Sequence, residues 1–115
     1  MQTLSTPDEH LVARVLREVG FDQRIVGYRM RERTGPMPAS LYSFEEVVHL
    51  LGDKFPYVNL QQLQQWVDSV TEDSELAAAI ASVIREETND HDRLSRVRAL
   101  MAERLCQCGR AVQQG

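Results

Sequence analysis

Between residues 59 and 108, apolar side chains recur every three or four positions. This spacing constrains the chain more than any other feature, because it is the period of an α-helix with one buried face. In NLQQLQQWVDSV, Leu60, Leu63, Trp66, Val67 and Val70 share a face, and four glutamines and Asp68 fill the positions between them. In DSELAAAIASVIREE the buried side is Leu76, Ala77, Ile80, Ala81 and Ile84, with alanines small enough for a neighbouring helix to approach closely. In DHDRLSRVRALMAERLCQC the stripe is Leu94, Val97, Met101, Leu105 and Cys108. Asn59, Asp73 and either Asn89 or Asp90 stand where N-caps belong, their side-chain oxygens able to accept from the first turn of each helix.

Two earlier segments use the same punctuation. STPDEHLVARVLREVG offers Thr6 as N-cap, Pro7 at the first helical position, Glu9 to complete a capping box and Gly20 as the stop. Its apolar stripe is Leu11, Val12, Val15, Leu16 and Val19. In SFEEVVHLLG, Ser43 and Glu46 form the capping box, Phe44, Val47, Val48 and Leu51 face inward, and Gly52 ends the helix. The fold class that follows is mainly α: a compact bundle of about five helices in a single domain covering residues 1–115.

One segment reads as extended. QRIVGYRMRER alternates, placing Val26, Tyr28 and Met30 on one face and Ile25, Gly27, Arg29, Arg31 and Arg33 on the other. A lone strand needs a mate. The short candidate is KFPYV, where Pro56 confines it to an edge, so a short β-hairpin of residues 24–31 and 55–58 is expected. The stretch RTGPMPASLY reads as an irregular loop.

A length of 115 residues suits one hydrophobic core. No apolar run approaches the roughly 18 residues of a membrane span. The start, MQTLSTPDEH, has neither the basic residues nor the apolar run of a secretory leader, so a cytoplasmic location is expected. Charge is distributed unevenly. Residues 45–92 carry eleven acids against Lys54 and Arg85, whereas residues 93–115 carry five arginines against Glu103. A basic last helix beside an acidic middle implies that the two pack together, or that one meets the other in a second copy, which makes a homo-oligomer one expectation.

Residues that could carry chemistry are few. Cys106 and Cys108 are one residue apart, and at about 100° per helical residue they point to opposite sides of a helix. One buried and one exposed thiol is the simple reading; a metal-binding or thiol-redox function using Cys106 and Cys108 is the alternative and requires the helix end to fray. His10, His49 and His91 are scattered, with no second strong ligand at helical spacing. Gly-rich phosphate loops, nucleophile elbows and H-E-x-x-H pairs are missing, so no catalytic residue, no metal ligand and no cofactor is assigned. Arg29, Arg31 and Arg33 form the best candidate partner surface, at about 6.6 Å intervals along one strand face. Nucleic acid is an alternative ligand for this ridge, but a pI of 5.3 opposes a polyanion over most of the surface, so an acidic protein partner fits better. Trp66 is a second candidate anchor, although its helical stripe places it in the core.

The order FPYVNLQQLQQWVDSVTEDSELAAAI, followed after a charged gap by RVRALMAERL, resembles a family of uncharacterised small prokaryotic helical domains. In that pattern an aromatic-rich turn precedes a tryptophan-bearing helix, then an acid-x-Glu-Leu-Ala helix start, then a closing helix ending in Glu-Arg and an aliphatic residue. The resemblance spans residues 55–105 and implies helical folding without implying an activity. The function expected from these readings is a small protein-interaction or regulatory module without catalytic activity.

Overall fold

In chain order the elements are α1 (Glu9–Leu16), a 3-10 turn at Phe21–Gln23, β1 (Ile25–Arg31), β2 (Gly35–Leu41), α2 (Phe44–Leu51), β3 (Pro56–Tyr57), α3 (Leu60–Ser69), α4 (Ser74–Glu86) and α5 (Asp90–Gln114). They are taken from a computed structural model that describes residues 4–31, 33 and 35–114. Among the described residues the protein is therefore mainly α, with five α-helices and a three-stranded antiparallel sheet. Among the described residues no helix is long and apolar enough to cross a membrane.

The helical stripes converge on one core. Val47, Leu50, Leu63, Val67, Leu76, Ile80, Val97, Met101 and Cys108 are fully enclosed, and each large aliphatic among them contributes about 1.5–3 kcal/mol by leaving water. Helix α5 runs along the assembly and packs against α4, α2 and α1. Trp66 is part of this core, its indole Nε1 donating to the Gln23 carbonyl at 2.7 Å. The acidic middle and the basic last helix do lie against each other: Arg96 bridges Glu86 and Glu87 of the α4 end, at 3.0 and 2.8 Å.

Four of the expected caps are present. Asn59 accepts from Gln62 N–H at 3.0 Å, Asp73 from Leu76 N–H at 3.0 Å, Ser43 from Glu46 N–H at 3.1 Å and Asn89 from Asp92 N–H at 2.8 Å. The capping box at α2 is displaced by one residue, because the Glu46 carboxylate accepts from Tyr42 N–H and not from Ser43. Helix α1 departs further from its sequence reading. Its cap is Asp8, which accepts from Leu11 N–H at 2.8 Å; Thr6 and Pro7 lie before the helix, and the helix ends at Leu16 instead of running to Gly20. The last expected turn is given up to a tertiary bond, in which Val19 N–H donates to the Tyr42 carbonyl at 2.7 Å. Leu16 accordingly lies exposed.

The expected hairpin of residues 24–31 and 55–58 also needs correction. Strand β3 does pair with β1, but through only two residues, Tyr57 opposite Tyr28 and Pro56 opposite Arg29. The main mate of β1 is β2, paired over seven residues from Ile25 opposite Leu41 to Arg31 opposite Gly35, so the stretch expected as an irregular loop is a strand. Its prolines are compatible with a strand because of register. Met30 N–H donates to Phe55 O, so even positions of β1 direct their main chain toward β3. Pro36 and Pro38 face Met30 and Tyr28, at pairs where no ladder hydrogen bond to β1 is lost, and β2 is an edge strand.

Helix α2 covers one face of this sheet. A Cβ at Gly27 would stand 2.3 Å from Leu50 Cδ2 and 3.2 Å from the Tyr57 carbonyl. The absence of a side chain at Gly27 is what lets the helix sit down on β1.

Candidate interaction surface

Strand alternation gives the sheet two faces of different character. Ile25 and Gly27 point inward and are buried, with Leu41 and Ala39 opposite them. Val26, Tyr28 and Met30 point outward, joined by Pro36, Pro38 and Tyr57 from the flanking strands. The outer face is thus the more apolar of the two, yet Tyr28, Met30 and Tyr57 on it lie exposed. Tyr28 and Tyr57 pack ring against ring at 6.2 Å with a 44° tilt. Among the described residues eight large apolar side chains are exposed, and five of them, Tyr28, Met30, Met37, Phe55 and Tyr57, lie on the sheet and the turn that leads into β3. Tyr57 is 47% exposed and Phe55 58%. The remaining three, Leu16, Phe21 and Val112, are spread over other elements.

Toward the β1–β2 turn the sheet borders an open notch of about 870 Å³, lined from the inner face and also by Met30 and Pro38 of the outer face. Arg29, Arg31 and Met37 form its floor, while Asp53, Lys54 and Phe55 form a wall. Arg29 Nε lies 2.9 Å from Asp53 Oδ2. That nitrogen is buried and its N–H makes no aligned hydrogen bond, so the contact is coulombic attraction without the directional part. Asp53 is held from its other oxygen, which accepts from Lys54 N–H at 2.8 Å. Lys54 Nζ stands 5.7 Å from the Phe55 ring centre, within cation–π range.

The three sequence-predicted site residues are therefore brought to one place but are not equivalent. Arg29 has an intramolecular acid, Arg31 ends the strand exposed, and Arg33 lies past it in the turn, so the regular spacing of three strand arginines stops after two. Among the described residues neither Arg31 nor Arg33 meets a carboxylate. The apolar half of the surface went unread in the sequence. Its signals are present there: a Phe-Pro-Tyr turn, and prolines at alternate positions facing an alternating strand.

The densest charge cluster is centred on Arg104 of α5 and is built differently. Arg104 and Asp73 are both 1% exposed, with Arg104 Nε 2.8 Å from Asp73 Oδ2. The same guanidinium donates to Glu75 at 2.7 Å, to the Ser5 carbonyl at 2.6 Å and to Gln107 at 2.9 Å. Ser5 donates in turn to both oxygens of Glu75, and Gln107 donates to the Leu4 carbonyl, so the N-terminal arm is tied to α4 and α5. The Ser5 hydroxyl, followed by Arg104, holds the Glu75 carboxyl below its ordinary value despite an opposing push from burial. Every donor of Arg104 is engaged inside the protein, which makes this cluster a clamp on the fold.

The cysteines stand as helical geometry requires, Cys106 exposed and Cys108 buried. Burial raises the Cys108 thiol above its ordinary range, against the pull of Arg104, so at neutral pH it remains an inert thiol. Among the described residues no three His, Cys, Asp or Glu side chains are grouped to hold a metal ion. His10 accepts from Arg14 Nε at 3.0 Å on an exposed face, while His49 and His91 are exposed on α2 and at the start of α5.

No family model, no curated protein sequence and no solved structure matches this chain. What the fold and the surface define is a mainly α domain with a small antiparallel sheet, one face of which is apolar and exposed.

Proposed function

We propose that this protein is a non-catalytic protein-interaction module whose contact surface is the β-sheet and its basic notch. The observation that carries the reading is the concentration of exposed apolar side chains on the sheet, five of eight, beside the arginines. A folded chain gains from burying such groups, and tyrosine, methionine and arginine in one patch are the composition of a protein contact. The helical body supplies a support, and several of its charged groups, Arg14, Arg93, Arg96 and Arg104 among them, are engaged in internal pairs.

The test replaces Tyr28, Met30 and Tyr57 together by serine and leaves the core untouched. Immobilised wild-type protein captures a stoichiometric protein partner from cell extract, the triple variant fails to, and a Val112→Ser control on α5 still captures it. Equal capture by wild type and triple variant contradicts the reading. A mass of two chains that reverts to one chain in the triple variant assigns the same surface to self-association.

A further inference from the structure

Resting on that reading of the sheet as a contact surface, we infer that the notch takes an extended acidic segment of a protein partner, and that Asp53 occupies Arg29 as a built-in stand-in for one of the partner's carboxylates.

Charge chooses the partner. Arg29, Arg31, Arg33 and Lys54 line the notch, and Asp53 is the one acid among the described lining residues. Counting Glu32 from the sequence still leaves the notch at +2, in a chain whose net charge is −4. A carboxylate-bearing segment is attracted here and repelled by much of the remaining surface, which fixes where it lands. A nucleic acid would have to bring its whole phosphate chain against that acidic body.

Geometry chooses the mode of binding. The outer edge of β2 offers no N–H at Pro36 or Pro38, so a partner cannot extend the sheet by main-chain pairing along this edge. Recognition falls to side chains. Arg29 and Arg31 project from alternate positions of β1 at about 6.6 Å, the same interval at which an extended segment presents its own alternate residues. Carboxylates two residues apart then meet the two guanidiniums. Met37, directly opposite Arg29 in register, and Phe55 are exposed in the notch beside the guanidiniums, so an apolar side chain next to the carboxylates finds contact there.

Asp53 fits the role of placeholder because its hold on Arg29 is close but misaligned. The pair is 2.9 Å apart, yet the buried Nε–H makes no hydrogen bond. An incoming carboxylate approaching the guanidinium end of Arg29 can supply the aligned bonds that Asp53 does not.

The experiment measures fluorescence anisotropy of a labelled peptide containing Glu-Ser-Glu-Ser-Leu, with the full chain at low salt. The expected result is saturable binding that weakens as salt rises and is lost when both glutamates of the peptide are glutamine. Asp53→Asn tightens binding by up to about fivefold, the worth of one surface pair removed as a competitor. Arg31→Glu combined with Arg33→Glu weakens it by more than about tenfold. No binding of the acidic peptide, or an Asp53→Asn variant that binds no better than wild type, overturns the inference. Tighter binding of a labelled oligothymidylate than of the peptide overturns it in favour of nucleic acid. Should the acidic peptide fail while the Tyr28, Met30 and Tyr57 triple serine variant still loses its captured partner, the inference falls and the interaction module stands.

Discussion

Two ion pairs of this protein have nearly the same separation and opposite consequences. Arg104 and Asp73 meet at 2.8 Å with both side chains 1% exposed, and Arg29 and Asp53 meet at 2.9 Å with 35% and 42% exposed. Distance alone would rank them together. Burial separates them, because a charge removed from water must be fully paired or the fold loses several kcal/mol, whereas a pair at the surface is worth about 0–1 kcal/mol. The Arg104 cluster is satisfied by Asp73, Glu75, Gln107 and Ser5 and locks the chain's two ends together. The Arg29 pair is under-satisfied and open to solvent. One region uses its charges to hold the fold, and the other leaves them in reach of solvent, where the proposed partner would meet them.

The sharpest way to break the comparison is to remove Arg104. Arg104→Met preserves much of the volume but strands a buried carboxylate, and urea denaturation is expected to show a loss of about 3–5 kcal/mol. Adding Asp73→Asn should restore much of that loss, since the amide oxygen can still cap α4 while the buried charge disappears. A loss under about 1 kcal/mol for Arg104→Met would mean that the cluster is no clamp.

A smaller effect tests how the sheet is seated. Gly27→Ala forces a Cβ against Leu50 and the Tyr57 carbonyl, and overpacking of this kind costs about 1–3 kcal/mol. Unchanged stability would show that α2 does not press on β1 as described.

Glu75 provides the pH counterpart. Its carboxyl is held below the ordinary value of 4.5 in the folded protein, first by Ser5 and then by Arg104. A depressed folded pKa gives stability that is present above the unfolded value and is lost as pH falls through the folded one. Denaturation followed from neutral pH down through the carboxylate range should therefore show a steeper acid loss in wild type than in Glu75→Gln. Parallel curves would show that the arm is not tied through this carboxylate.

How much of this was legible in the sequence depends on how local the cause is. The caps at Ser43, Asn59 and Asp73 are decided within three residues, and they appear where the sequence places them. Strand β2 is decided by register against β1, and GPMPASL has no apolar alternation to announce it. The two faces of β1 were correctly separated by alternation, but their polarity runs against composition. Ile25 and Gly27 go inward because a glycine makes room for Leu50, and Tyr28 and Met30 are left outside. Arg104 follows the same logic in reverse. It falls on the stripe of Val97, Met101 and Cys108, so a charge in a core row was visible, but its meaning required Asp73, which is 31 residues away.

On the proposed reading, the exposed side chains of the sheet contribute to binding and little to folding. Replacing Tyr28, Met30 and Tyr57 by serine and measuring urea stability and partner capture on the same preparation tests it directly. The account predicts for the triple variant a loss of no more than about 1–2 kcal/mol, the worth of one cross-strand aromatic pair and three half-exposed side chains, with capture abolished. A loss of several kcal/mol, with capture failing only because the fold has failed, would contradict it.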